Sequence, residues 1–235
     1  MALLSCEYLT MSYDGNTVLS ELSFEVNAGD YLCIVGENGS GKSTLIKAVL
    51  SLKNPCGGNI KFGDGLKPNE IGYLPQNTNV QKDFPASVWE IVLSGCQNRR
   101  GLKPFYSKQD RETAIFSMDS LGITNLKKKS YRELSGGQQR RVFLARAFCA
   151  AKKLIVLDEP SAGLDPVVTG EFYRLIKKRN DEGLTVITVS HDIASVVKDA
   201  SLVLHLKNKP AFFGKTADYL NSDAGKRFVG GEEND

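Results

Sequence analysis

Residues 36–44 read Gly36-Glu37-Asn38-Gly39-Ser40-Gly41-Lys42-Ser43-Thr44 and fit the pattern GxxxxGK[ST]. No other stretch limits the possible folds so tightly. The pattern has chemical meaning only between a strand and a helix, and both flanks qualify. Tyr31 to Val35 is a short apolar run that reads as a buried strand, and beyond the loop Leu45, Ile46, Val49 and Leu50 repeat at helical spacing. Glycines let successive backbone N–H groups turn inward around phosphate oxygens, and the N-terminus of the next helix adds partial positive charge. Lys42 can reach the β- and γ-phosphates of a nucleoside triphosphate, and the Ser43 hydroxyl can ligate Mg²⁺. The bland alternative is a glycine-rich turn arising by chance.

The segments around this loop set the fold class. Ser5 to Tyr13 and Val18 to Val26 read as strands ahead of Tyr31 to Val35, separated by Asp14-Gly15-Asn16 and Asn27-Ala28-Gly29-Asp30. Such short turns predict antiparallel pairing. Further short apolar runs at Ile71 to Leu74, Leu154 to Leu157, Thr185 to Val189 and Ser201 to Leu206 alternate with helical patterns. That alternation predicts a largely parallel α/β sheet. Between Leu74 and Leu154 only helices are expected. One opens on Ser87-Val88-Trp89-Glu90 with capping-box spacing, a second covers Ser107 to Leu121 before Gly122, and a third covers about Gly136 to Ala150. The expected architecture is one domain over residues 1–235, with a helical subdomain inserted at roughly 77–152 and a tail at roughly 214–235. The last residues, from Gly230 on, are expected to fray.

Charge and cysteine usage exclude several classes. With 30 basic and 27 acidic side chains the net charge is +3, too balanced to indicate nucleic-acid binding. Five cysteines (Cys6, Cys33, Cys56, Cys96 and Cys149) form no CxxC pair, which fits reduced cytosolic thiols better than disulfides or a zinc site. No run reaches the roughly 20 apolar residues of a membrane span, and Met1-Ala2-Leu3-Leu4 lacks a signal-peptide layout. The expectation is a cytoplasmic chain that meets any membrane through a partner.

Two further segments carry chemistry. Leu154-Ile155-Val156-Leu157-Asp158-Glu159 is an apolar strand ending in two carboxylates, and burying charge is costly without a purpose. Asp158 would hold Mg²⁺ through water and Glu159 would polarise an attacking water; alternatively the strand simply reaches solvent there. Leu134-Ser135-Gly136-Gly137-Gln138 precedes a helix, so Ser135 and two glycine N–H groups make an anion-binding cap or an ordinary serine cap.

Leu-Ser-Gly-Gly-Gln between a phosphate loop and an apolar-Asp-Glu strand resembles the signature of ABC ATPases. The other landmarks stand in that family's order. Gln76, after Ile71 to Leu74 and Pro75, resembles the Q-loop glutamine; Ser161-Ala162-Gly163-Leu164-Asp165 resembles the D-loop; His191, after Thr185 to Val189, resembles the switch histidine. Tyr13 stands where the family stacks an aromatic on adenine. The resemblance spans residues 3–213 and implies ATP and Mg²⁺ as ligands, with Ser43, Gln76 and Asp158 toward the metal. It also implies a head-to-tail pair in which each ATP lies between the phosphate loop of one copy and Ser135, Gly136 and Gly137 of the other. Taken singly, Tyr13 could be packing, His191 or Asp192 could cap the next helix, and His205 reads as structural.

The region from Ile71 to Gly95, including Asp83-Phe84-Pro85, resembles the cassettes of bacterial zinc and manganese importers, where such a subunit meets its permease. Phe84 and Trp89 could fill that contact or only pack the helices. The resemblance implies a permease and an extracytoplasmic binding protein as partners and a place on the cytoplasmic side of the cell membrane. The transported metal is not expected to bind here, since no His/Cys cluster has ligand spacing. The competing readings are an ABC importer subunit for another substrate and a soluble ABC ATPase acting on DNA or ribosomes; against the second stands the lack of coiled-coil insertions or a second cassette. A P-loop kinase is disfavoured by Leu134 to Gln138.

Overall fold

The strands Tyr31–Val35 (β3), Leu154–Asp158 (β6) and Thr185–Val189 (β7) are buried at every position. A strand with no exposed face needs cover on both sides, and the rest of the chain supplies it. The computed structural model describes residues 2–76, 85–100, 104–162, 164–190 and 197–230. The expectations for Phe84, Gly163, His191, Asp192 and the final five residues lie outside the described residues.

The remaining elements are β1 (Leu4–Tyr13), β2 (Asn16–Val26), α1 (Lys42–Val49), β4 (Gly57–Phe62), β5 (Ile71–Leu74), α2 (Val88–Ser94), α3 (Lys108–Ser120), α4 (Gly136–Ala150), α5 (Pro166–Asp181), β8 (Leu202–Lys207), β9 (Lys209–Lys215), α6 (Thr216–Asn221) and α7 (Asp223–Gly230). One sheet has the order β5-β6-β7-β3-β8-β9 and is parallel except for the β8–β9 pair. The other has the order β2-β1-β4 and is antiparallel. The mixed α/β class with a mostly parallel core sheet and an N-terminal antiparallel sheet is therefore as the sequence predicts.

Successive residues of the central strands feed two cores. Tyr31, Cys33, Val35, Ile155 and Leu157 pack with the helices α2 to α5. Leu32, Ile34, Leu154 and Val156 pack with α1 and the antiparallel sheet. The helix starts follow their caps: Ser87 with Glu90, Ser107 with Asp110 and Ser135 with Gln138 each form a reciprocal capping box. Gly122, at φ 65°, follows α3 as its stop. Close packing fixes two other glycines, for a Cβ on Gly72 would strike the Ala147 carbonyl and one on Gly95 the Arg146 carbonyl, both on α4.

The structure corrects the reading of the first three strands. β1 and β2 pair antiparallel, but β3 leaves them for the parallel sheet. β2 alternates buried and exposed residues over Leu22 to Val26, as a one-sided sheet requires, whereas β3 has no polar face to offer solvent. Two strands went unpredicted. β4 begins Gly57-Gly58-Asn59 and β9 carries Pro210, compositions that oppose strand formation and survive at sheet edges. The cysteines are free thiols, all buried except Cys56. Among the described residues, no helix is long and apolar enough to cross a membrane.

The C-terminal helices hold more than a solvated tail. Tyr219 of α6 is fully buried and its hydroxyl lies 3.1 Å from His205 Nδ1, while Phe228 of α7 packs on the same imidazole at 4.5 Å. His205 pairs in register with Val35, the residue before the glycine-rich loop. Burial holds the imidazole below the ordinary histidine range, and Lys207 and Lys42 push the same way against Glu37. The fold thus keeps His205 neutral, while the unfolded chain takes up a proton near pH ~6.5. Stability is complete above that pH and falls as the pH drops through the lower folded value. Calorimetric melting across pH 8 to 5 should show the wild type losing melting temperature on the acid side, and His205→Phe should remove part of that slope.

Candidate functional site

The loop after β3 is built from its glycines. A Cβ on Gly36, at φ 147°, would collide with the Leu206 carbonyl and with Ser40, and one on Gly41, at φ 97°, with the Leu19 side chain. Gly41 is the N-cap of α1 and provides no side-chain cap, so the first N–H groups of the helix are left for another acceptor. Lys42 is 6% exposed. Its Nζ donates to the Gly36 carbonyl at 2.6 Å and the Glu37 carbonyl at 2.8 Å, which folds the ammonium back over the loop. Burial lowers its pKa, opposed by the charges of Glu159, Asp158 and Glu37. Ser40 Oγ is buried without a hydrogen-bond partner among the described residues, Thr44 is buried, and Asn38, Gly39 and Ser43 are exposed. A cradle with an orphaned hydroxyl, an uncapped helix start and a buried ammonium suits a polyphosphate.

The two carboxylates stand beside it. Asp158 ends β6 and is 7% exposed. Burial raises its pKa, the Glu159 charge raises it further, and the Tyr73 hydroxyl, Lys42 and Arg140 pull it back. Glu159 follows in a left-handed backbone conformation at φ 46°. Gln76, just past β5, donates from Nε2 to Glu159 Oε2 at 2.5 Å. The residues following β3, β5 and β6 therefore meet at one end of the parallel sheet, where open α/β sheets bind their ligands.

Ser135 to Gln138 open onto a different space. The Ser135 hydroxyl accepts from the Gln138 backbone N–H at 3.3 Å, and the Gln138 side chain accepts from the Ser135 N–H at 3.1 Å. Ser135, Gly137 and Gln138 line a cavity of about 300 Å³ with Asn125, Arg141 and Val168. A Cβ on Gly136 would meet nothing, and one on Gly137 would make only ordinary contact with Val168. Tyr13, half-buried at the end of β1, has its ring covered by Lys53 Nζ at 3.0 Å from the centroid. An adenine could stack there only after Lys53 swings aside.

A groove of about 540 Å³ lies between α2 and α4, lined by Pro85, Ala86, Glu90, Ile91, Ser94, Phe143 and Arg146. Trp89 does not line it; its ring packs on the helical core under Lys127 Nζ at 3.9 Å. Sequence reasoning passed over two residues. Tyr73, on β5, has its hydroxyl pKa pushed up to about 12 by burial and by the neighbouring Asp158, and Arg140, 4% exposed, donates to four backbone carbonyls around the carboxylates. A signal for Arg140 existed, because it sits three and four residues before the buried Phe143 and Leu144 on α4 and so shares their face.

The chain as a whole is similar to known proteins. The ABC transporter family matches residues 19–162. The manganese transport system ATP-binding protein MntB of Bacillus subtilis is 36% identical over 228 residues, covering 95% of this chain and 90% of that protein. The zinc uptake system ATP-binding protein ZurA of Listeria innocua is 34% identical over 217 residues, covering 88% and 83%. Among solved structures, cbiO1 of Clostridium perfringens, part of the ABC transporter complex cbiONQ, superposes with a TM-score of 0.82 at 29% identity, over 97% of this chain and 94% of that one. This chain belongs to the ABC transporter family and is one of its ATP-hydrolysing subunits.

Proposed function

We propose that this chain is the subunit that energises a membrane importer for manganese or zinc ions, working on the cytoplasmic side of the membrane. The hydrolytic half of the reading rests on the convergence of Lys42, Gln76, Asp158 and Glu159 at the ends of three parallel strands. The transport half is supported by the likeness to MntB and ZurA over most of the chain.

Catalysis of phosphoryl transfer is mainly positioning and charge stabilisation. Gly36, Asn38, Gly39, Ser40, Gly41, Ser43 and Thr44 form the phosphate cradle, and ATP draws Lys42 Nζ from the loop carbonyls to its β- and γ-phosphates. The residues present fit Mg²⁺. Ser43, Gln76 and Asp158 offer oxygen ligands next to the phosphate cradle, and a cation would offset the burial and the Glu159 charge that raise the Asp158 pKa. When bound, Mg²⁺ neutralises charge on the phosphates. Glu159 orients and deprotonates the attacking water. Gln76, bonded to Glu159, links that carboxylate to the segment leading into the helices. His191 adds charge stabilisation at the γ-phosphate, and Tyr13 stacks on adenine.

Ser135, Gly136, Gly137 and Gln138 act on the ATP of a second copy. The open surface over Gly136 and Gly137 supports this, since no packing among the described residues explains glycine at either position. The whole chain forms one nucleotide-binding domain, in which the helices between β5 and β6 shift as a subdomain. Their groove, with Glu90 and Arg146 among its apolar lining, receives a cytoplasmic helix of the permease. The permease and an extracytoplasmic binding protein select the metal.

Lys42→Ala should weaken nucleotide affinity and lower phosphate release by about 10²-fold, as for loss of other preorganised charge stabilisers. Glu159→Gln should keep nucleotide binding, followed with a fluorescent ATP analogue, while turnover drops by about 10²–10⁴-fold. Unchanged turnover in either variant removes that residue from its role. The tagged chain, purified gently from membranes of its native cell under manganese or zinc limitation, should bring a multi-spanning permease with it. Recovery of ribosomes or DNA in place of a permease would overturn the importer reading and leave the ATPase intact.

A further inference from the structure

Arg140 is a buried cation that feels the charges of Asp158 and Glu159 but, among the described residues, directs its hydrogen bonds to neither carboxylate. Its planar fork is used on carbonyls instead. Nε donates to Pro160 at 2.9 Å, Nη2 to Glu159 at 2.6 Å, and Nη1 to Gln76 at 2.9 Å and Pro75 at 3.2 Å. Two acceptors follow β5 and two follow β6, so one guanidinium ties together the segments carrying Gln76 and Glu159. Those are the two residues whose side chains meet at 2.5 Å.

The backbone of Glu159 needs such a hold. At φ 46° it lies in the left-handed region, which non-glycine residues rarely occupy, and it precedes Pro160, which biases a residue toward extended backbone. A strained conformation of this kind persists only where its surroundings over-determine it. The Glu159 N–H is fixed by the Val189 carbonyl at 2.9 Å. Its own carbonyl and the next one are both fixed by Arg140. A lysine ammonium at this site could not reproduce the planar fork.

We propose that Arg140 is a positioning residue for hydrolysis: it holds Glu159 in its left-handed conformation, sets Gln76 against it, and joins both to α4, the helix that Ser135 caps. The proposal rests on the reading of Glu159 as the residue that orients water. Arg140 acts through Glu159 and touches neither substrate nor metal.

The test uses the full chain with Arg140→Lys and Arg140→Gln, each alone and combined with Glu159→Gln. ATP turnover is measured under steady-state and single-turnover conditions, with nucleotide affinity as the control for folding. Both single variants should lose about 10²-fold in kcat, the scale of a misplaced catalytic group, with nucleotide affinity retained. In the Glu159→Gln background neither should slow turnover further. A kcat close to wild type in both variants overturns the proposal, as does a loss that multiplies with that of Glu159→Gln. Loss of nucleotide binding in both variants also overturns it, by showing a merely structural role. Wild-type turnover in Glu159→Gln alone marks failure of the Glu159 reading instead, and is seen without reference to Arg140.

Discussion

Burial of β3, β6 and β7 on both faces is the constraint from which the other features follow. Strands without a polar face force the chain to lay helices on one side and a second sheet with α1 on the other. Side-chain polarity is then confined to the strand ends. Parallel alignment gathers the C-terminal ends of β3, β5, β6 and β7 at one edge, so the loop at Gly36, Gln76, the Asp158–Glu159 pair and Ser190 reach the same rim without any long-range chain excursion.

At that rim the charges are balanced by desolvation. Burial disfavours the charged form of Lys42 and of Asp158, while each supplies the opposite charge that favours the other. A buried cation beside one buried and one half-buried carboxylate suits the proposed ligand, which brings both phosphate charge and metal charge. Arg140 contributes a second cation without neutralising a carboxylate directly, because its donors are taken by carbonyls. The backbone beneath the carboxylates is thus fixed without Arg140 taking up their oxygens, which the proposed metal and water roles require.

The parts of this arrangement that depend on neighbours in sequence are legible there. The loop from Gly36 to Thr44, the apolar strand ending at Asp158, the capping box at Ser87 and the helix starts at Ser107 and Ser135 announce themselves by local pattern. The edge strands β4 and β9 do not, because Gly57-Gly58 and Pro210 argue against strands and only a sheet edge to pair with makes them form. The departure of β3 from β2 is written in its unbroken apolar run, but a short turn after β2 suggests the opposite. Arg140 is half legible: its spacing to Phe143 and Leu144 marks a buried face, but its four acceptors come from segments 19 to 65 residues away, which no local pattern shows. Its neighbour Arg141 shows the surface version of the same residue, bonded at 2.5 Å to Glu171.

Glycines separate what the chain satisfies by itself from what it leaves open. Gly36, Gly41, Gly72 and Gly95 are each required by an atom of the same chain that a Cβ would strike. Gly136 and Gly137 face no such atom, although glycine in the first turn of a helix has a conformational cost relative to alanine. A residue that weakens its own helix and relieves no internal clash is best explained by something approaching from outside. The bare backbone at the start of α4 offers N–H groups to an anion, and the chain's own phosphate loop already has its cradle at α1. In the proposed head-to-tail pair of identical chains, these would be the two complementary halves of each site.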